Sequence, residues 1–210
     1  YKRAVEINPK TPSINHVIAL FYRNIGLLRQ AVEYSFKNIE LDPFYLPSHS
    51  LLARCLIYSG ELEKASLSIE KAFEVEPDNI WSLQDSSLLF VVKNEIDRAE
   101  KFLARAEEIN PDYPGLRFYK ALVLARKGEK KKALKLRRNG VIYSLLEMKN
   151  EAVNYIREEI QKSYEHYQYS YLPLINSRFY ESLRGDPRFE DIVIQQKKRY
   201  EERLKRYSQL

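Results

Sequence analysis

The sequence predicts an all-α protein: a solenoid of antiparallel helix pairs with an irregular last repeat and a C-terminal capping helix. Three columns of residues carry that expectation. Pro9, Pro43, Pro77 and Pro111 stand 34 residues apart. Ala31, Ala65, Ala99 and Ala133 keep the same spacing, and Gly26, Gly60 and Gly128 share it with Asn94 in the remaining slot. A period of this length is a helix hairpin that buries its apolar face only by stacking on its neighbours.

Each column has a physical reason. Proline cannot continue a helix, so each one follows a helix end, after Ile7-Asn8, Leu41-Asp42, Val75-Glu76 and Ile109-Asn110. Glycine between the two helices of a unit takes positive φ and closes the first of them, and asparagine is its best substitute. Alanine lets two helices approach closely. Tyr1–Ile7 has a helical pattern and starts with Tyr, so the chain is expected to be a piece of a longer protein. In the first complete unit Ile18, Tyr22 and Ile25 share one face, and Leu28, Val32 and Phe36 another. Leu52, Leu56, Leu62 and Ile69 repeat that spacing in the second. The register then slips: Ala152 follows Ala133 by 19 residues rather than 34. That predicts a distorted or merged helix near Lys130–Leu146, with a break at Asn139-Gly140. Beyond it lie the tyrosines Tyr164, Tyr167, Tyr169 and Tyr171. The turn Gly185-Asp186-Pro187 starts a last helix, from about Pro187 to Tyr207, with Asp186 as cap and Pro187 at its first position. Phe189, Ile192, Val193, Tyr200 and Leu204 form its apolar stripe.

The segments Ala65-x3-Ile69…Pro77 and Ala99-x3-Leu103…Pro111, with the looser His49-x2-Leu52-Ala53-x2-Leu56 before them, resemble the tetratricopeptide repeat (TPR) family. The resemblance runs from residue 1 to about 160. It implies a right-handed α-solenoid whose first helices line a concave groove, and a role in protein–protein interaction. The stretch from Phe179 through Gly185-Asp186-Pro187 to Phe189 is similar to the segment closing TPR regions in some multidomain bacterial signalling and regulatory proteins. The expected organisation is therefore a TPR array over 1–163, with a partial first helix and a shortened last repeat. An irregular segment with the capping helix, over 164–210, is packed on it.

Composition excludes several classes. With 44% hydrophobic residues the 210-residue chain is not a disordered one, and a single Cys55 excludes a disulfide scaffold. No apolar run is long enough for a membrane span. The six glycines are scattered, so no phosphate-binding loop is expected. His16, His49 and His166 are far apart and lack cysteine partners, so neither metal nor cofactor is expected. Cys55 lies on an apolar helix face without a partner base. No catalytic residues emerge, and the chain reads as non-enzymatic and cytoplasmic.

What remains is binding. The family's groove positions, carried onto this chain, include His16, Leu20, Arg23, Ser50, Arg54, Tyr58, Trp81, Gln84, Phe118 and Arg126. Arginines among aromatic groups suit a peptide or helix of a protein partner. Leu88, Val91, Val92 and Leu122 fall on the same positions but look like core. The Lys and Asn clamp of heat-shock co-chaperones is not matched, since His16, Leu20, Pro47, Leu51 and Asp85 stand at its positions. Net charge is +6. The excess concentrates in a block of Lys127, Lys130, Lys131, Lys132, Lys135, Arg137 and Arg138 after Arg126. That block is a solvated face in the simplest reading and a site for nucleic acid or an acidic partner in the alternative. A third reading is a self-association scaffold.

Overall fold

The computed structural model describes residues 12–162 and 166–207; the expected helix at Tyr1–Ile7, Pro9 and Tyr164 lie outside them. The described residues contain helices and no strand. Five pairs follow one another: α1 (Pro12–Asn24) with α2 (Leu28–Leu41), α3 (Leu46–Tyr58) with α4 (Leu62–Val75), α5 (Ile80–Lys93) with α6 (Ile96–Ile109), α7 (Leu116–Arg126) with α8 (Lys130–Leu136), and α9 (Gly140–Leu145) with α10 (Lys149–Gln161). A 3-10 turn (Tyr167–Tyr169), the short α11 (Tyr171–Asn176), a second 3-10 segment (Arg178–Leu183) and the long α12 (Pro187–Tyr207) complete the chain. First helices touch one another and form an inner layer; second helices form the outer one.

One turn is used five times. In the first pair Gly26 N donates to Arg23 O at 2.9 Å and Leu27 N to Tyr22 O at 2.8 Å. Matching bonds recur around Gly60, Asn94, Gly128 and Glu147. They satisfy the last carbonyls of each first helix, and they require a left-handed residue at the centre. Asn94 has φ 63° and Glu147 φ 55°. Glu147 is the unforeseen member of the column, and it lies 19 residues after Gly128, the same step as Ala133 to Ala152. Ala31, Ala65, Ala99, Ala133 and Ala152 are all fully buried, as a close-approach column demands.

Of the distorted or merged helix expected near Lys130–Leu146, the merged form does not occur. Two short helices, α8 and α9, stand there, separated at the expected break. Asn139 is extended, and its side chain accepts from Ile142 N at 2.9 Å. That cap starts a new helix, whereas a continuous one would leave the polar side chain without its partner.

The last helix has the expected bounds. Asp186 Oδ1 accepts from Arg188 N at 2.9 Å, so it caps as expected. Phe189 and Ile192 are buried, and Val193, Tyr200 and Leu204 pack against the core. The helix runs from α10 back to α1. Arg199 Nη1 donates to Ile160 O at 3.1 Å and Arg203 Nη1 to Ile25 O at 2.8 Å. Tyr22 Oη donates to Tyr207 O at 3.2 Å, and the Phe21 and Tyr207 rings meet edge to face at 5.4 Å. The last helix thus ties the fifth pair to the first. Among the described residues no helix is long and apolar enough to cross a membrane.

Candidate binding trough

The inner layer forms a trough with two unlike halves. Where α1 and α3 meet the start of α5 it is open. Residues one turn apart share a helix face, so His16, Leu20 and Arg23 arrive together from α1. Pro47, Ser50, Leu51 and Arg54 arrive from α3, and Trp81 from the start of α5. These eight line a shallow cleft of about 150 Å³.

Asp85 organises its floor. It is fully buried; Ser50 Oγ donates to its Oδ2 at 2.5 Å and Arg54 Nε to its Oδ1 at 2.6 Å. Burial raises the Asp85 carboxyl above its ordinary pKa against the pull of Arg54 and Ser50. Burial also works against the Arg54 charge, but Asp85, Tyr119 and Tyr167 together lift Arg54 well above its ordinary value. Arg54 therefore answers an acid of its own chain, and it stays partly exposed where it borders the cleft. His16 Nδ1 lies 3.2 Å from Ser48 Oγ, with its ring edge-on to Tyr45 at 5.3 Å. Burial lowers the His16 pKa and the Arg23 charge lowers it further, so the charged ring is disfavoured there. Trp81 Nε1 donates to Tyr113 Oη at 2.9 Å, which fixes the half-buried indole at the cleft edge.

The C-terminal half of the trough is filled by the chain itself. Tyr58, expected as a groove anchor, is only 1% exposed. Tyr167 meets it edge to face at 5.3 Å, Phe179 lies at 5.7 Å, and Gln168 Nε2 donates to its Oη at 2.6 Å. Arg23 stacks over Tyr167 at 5.0 Å. An added Cβ on Gly26 would stand 2.5 Å from the Ser170 Cβ, so only glycine admits the segment there. Leu172, Leu174, Phe179, Tyr180 and Leu183 are all buried. At about 1.5–3 kcal/mol for each fully buried apolar side chain, the packing of this segment contributes to the stability of the fold.

Other expected residues are placed differently. Gln84 is 2% exposed, and its Nε2 has no hydrogen-bond partner. Leu88, Val91, Val92 and Leu122 belong to the core. Phe118 is half-buried against Tyr119, outside the cleft. Arg126 is half-buried; burial lowers its pKa against the pull of Glu181. Cys55 is fully buried, and burial pushes its thiol up to about 12, which leaves it unreactive. Among the described residues no three His, Cys, Asp or Glu side chains gather as metal ligands.

The basic block lies on α8 and its flanks. All seven of its members, Lys127, Lys130, Lys131, Lys132, Lys135, Arg137 and Arg138, are exposed. Lys127 pairs with Glu100 at 2.8 Å and Lys132 with Glu129 at 2.5 Å, while Arg138 Nε donates to Leu134 O at 3.3 Å. Sequence reasoning missed Asp85 as the partner of Ser50 and Arg54. It also missed the return of Tyr167, Gln168 and Phe179, for which no local signal exists.

Residues 46–79, the second helix pair and the loop after it, match the family model of the tetratricopeptide repeat. Two curated proteins are similar over 79 residues at 29% identity, which is 38% of this chain. One is the small glutamine-rich tetratricopeptide repeat-containing protein 2 of Mycosarcoma maydis, the other the Hsp70-Hsp90 organizing protein 2 of Arabidopsis thaliana. The matched stretch spans 22% and 14% of their lengths. Among solved structures, a thermophilic TPR protein of Thermus thermophilus is similar with a TM-score of 0.59 at 22% identity, over 76% of this chain and 81% of that one. The pilF protein of Pseudomonas aeruginosa gives 0.51 at 19%, over 95% and 93%. YrrB, described as a TPR protein with an unusual peptide-binding site, gives 0.50 at 17%, over 94% and 97%. At these identities the likeness is one of fold.

Proposed function

We propose that this chain is a non-catalytic protein-interaction module that takes a short segment of a protein partner in the open half of its trough. One observation carries the reading: side chains from three successive first helices, α1, α3 and α5, converge on one cleft. Leu20, Pro47, Leu51 and Trp81 give the segment an apolar seat, and Arg23 gives it a cationic edge. Peptide binding by YrrB and the organising role named for the Arabidopsis relative support binding over catalysis. In this reading the array over 1–163 supplies the seat, and 164–210 limits its length by filling the other half. The setting we propose is the C-terminal part of a larger cytoplasmic signalling or regulatory protein.

The test is capture of partners from a lysate of the source cells by the wild-type chain and by Leu20→Glu combined with Trp81→Ala. Loss of captured proteins with unchanged helical circular dichroism is expected; undiminished capture overturns the reading. Charge reversal at Lys130, Lys131 and Lys135 serves as the second arm. It leaves capture intact here, whereas its abolishing capture would make the basic block the working surface.

A further inference from the structure

The outer layer holds a second cleft, between α2 and α4, of about 670 Å³. Phe36, Ile39, Phe44, Leu52 and Leu67 wall it, with Ser68 among them. That volume lies within the range of ligand-binding pockets, roughly 300–1,000 Å³.

The next groove along, between α4 and α6, shows what this one lacks. There Phe73 and Phe102 stack at 6.0 Å and Phe102 and Phe90 at 5.5 Å, with Arg98 over Phe90 at 3.8 Å. The residues 34 positions earlier are Ile39, Ser68 and Leu56. An aromatic ring has become a hydroxymethyl group, whose Oγ donates to His49 O at 3.2 Å. The rim changes in the opposite sense. Glu70, Asp78 and Lys101 are charged, as a solvated surface should be; their counterparts Phe36, Phe44 and Leu67 are apolar and 46%, 74% and 59% exposed. Natural surfaces seldom cluster apolar groups this way unless something covers them. The charge pattern completes the contrast. Arg105 is gripped by both oxygens of Asp78, at 3.1 and 3.0 Å. Its counterpart Lys71 faces Phe44 in the register and has no ion pair among the described residues.

We propose that this outer cleft docks an acidic, aromatic-bearing peptide segment of a protein partner. Its aromatic ring takes the place that Phe102 fills in the next groove, and its carboxylate supplies to Lys71 what Asp78 supplies to Arg105. Lys64 lies on the same side but is engaged by Glu61 at 2.5 Å, while Glu40 and Glu74 also border the cleft and disfavour a partner rich in carboxylates throughout. The chemistry is therefore one aromatic anchor with one neighbouring acid. This site is separate from the inner trough and stands or falls without it.

The experiment is selection of a random displayed-peptide library on the whole chain. Synthetic copies of the enriched peptides are then measured by fluorescence anisotropy. Enriched peptides are expected to place an aromatic residue near a single Asp or Glu. They should lose affinity about tenfold or more against Ser68→Phe, which fills the slot as Phe102 does. Phe44→Asp restores the charge of the next repeat at an exposed position that leaves folding intact, and it gives the same loss. Leu20→Glu, in the inner trough, gives none. No enrichment, a basic or non-aromatic consensus, or binding indifferent to Phe44→Asp overturns the proposal. So does a concentration-dependent dimer that Phe44→Asp dissolves, which would assign the cleft to a second copy.

Discussion

The first three helix pairs and the last two build the same motif from different lengths of chain. Helices α1 to α6 are 13 or 14 residues long, whereas α8 has 7 and α9 has 6. Long pairs cover one another and leave an open inner face. The shortest, α9, is covered from inside by the returning segment: Tyr169 Oη accepts from Gly140 N at 3.1 Å, and Ser182 Oγ donates to Ser144 O at 2.7 Å. Shortening and return belong together. Helices of about two turns or fewer are marginal without tertiary packing, and the segment that packs α9 also occupies half the trough. Where the repeat is regular the inner surface stays open; where it is compressed the chain covers itself.

The sharpest way to break this contrast is Phe179→Ala. If the returning segment is core, the substitution costs about 3–5 kcal/mol, read as a lower midpoint in urea; a loss under about 1 kcal/mol would make the segment a dispensable cover. Gly140→Ala tests the close packing of α9 itself. The added methyl would lie 2.6 Å from Ile156 Cγ1 and 3.1 Å from the Tyr169 ring. Overpacking of this kind should cost about 1–3 kcal/mol, again by urea unfolding, and a neutral result would mean that the short pair yields easily. The smallest effect is a gain. Glu147 carries the left-handed conformation that glycine holds in three of the other turns. Glu147→Gly should stabilise by about 0.5–1 kcal/mol, seen as a raised midpoint in thermal unfolding; an unchanged midpoint would deny strain at that turn.

The fold was legible because each repeated residue type answers a backbone demand. Asn94 could be placed in the glycine column before any coordinates, and its φ of 63° is the reason. Glu147 could not, since glutamate has no preference for that region; only the common step from Gly128 and from Ala133 marks it. The register slip was visible at Ala152, but whether the chain merges or breaks there rests on one bond, from Ile142 N to the Asn139 side chain. In the trough, the groove positions implied by the family resemblance named His16, Leu20, Arg23, Ser50, Arg54 and Trp81, which meet at one cleft; helical phase agrees with that grouping within each helix. Phase is silent on what arrives from afar. Tyr58 is covered by a residue 110 positions away, so its burial has no signature in its own repeat.

A stack of hairpins that touch only their neighbours can gain or lose one member with little harm to the rest. Arg203 on Ile25 and Tyr207 on Tyr22 remove that freedom. An extra hairpin spliced between α1 and α12 would carry these pairs out of reach, so the molecule is open to revision residue by residue but closed to growth by duplication within its span.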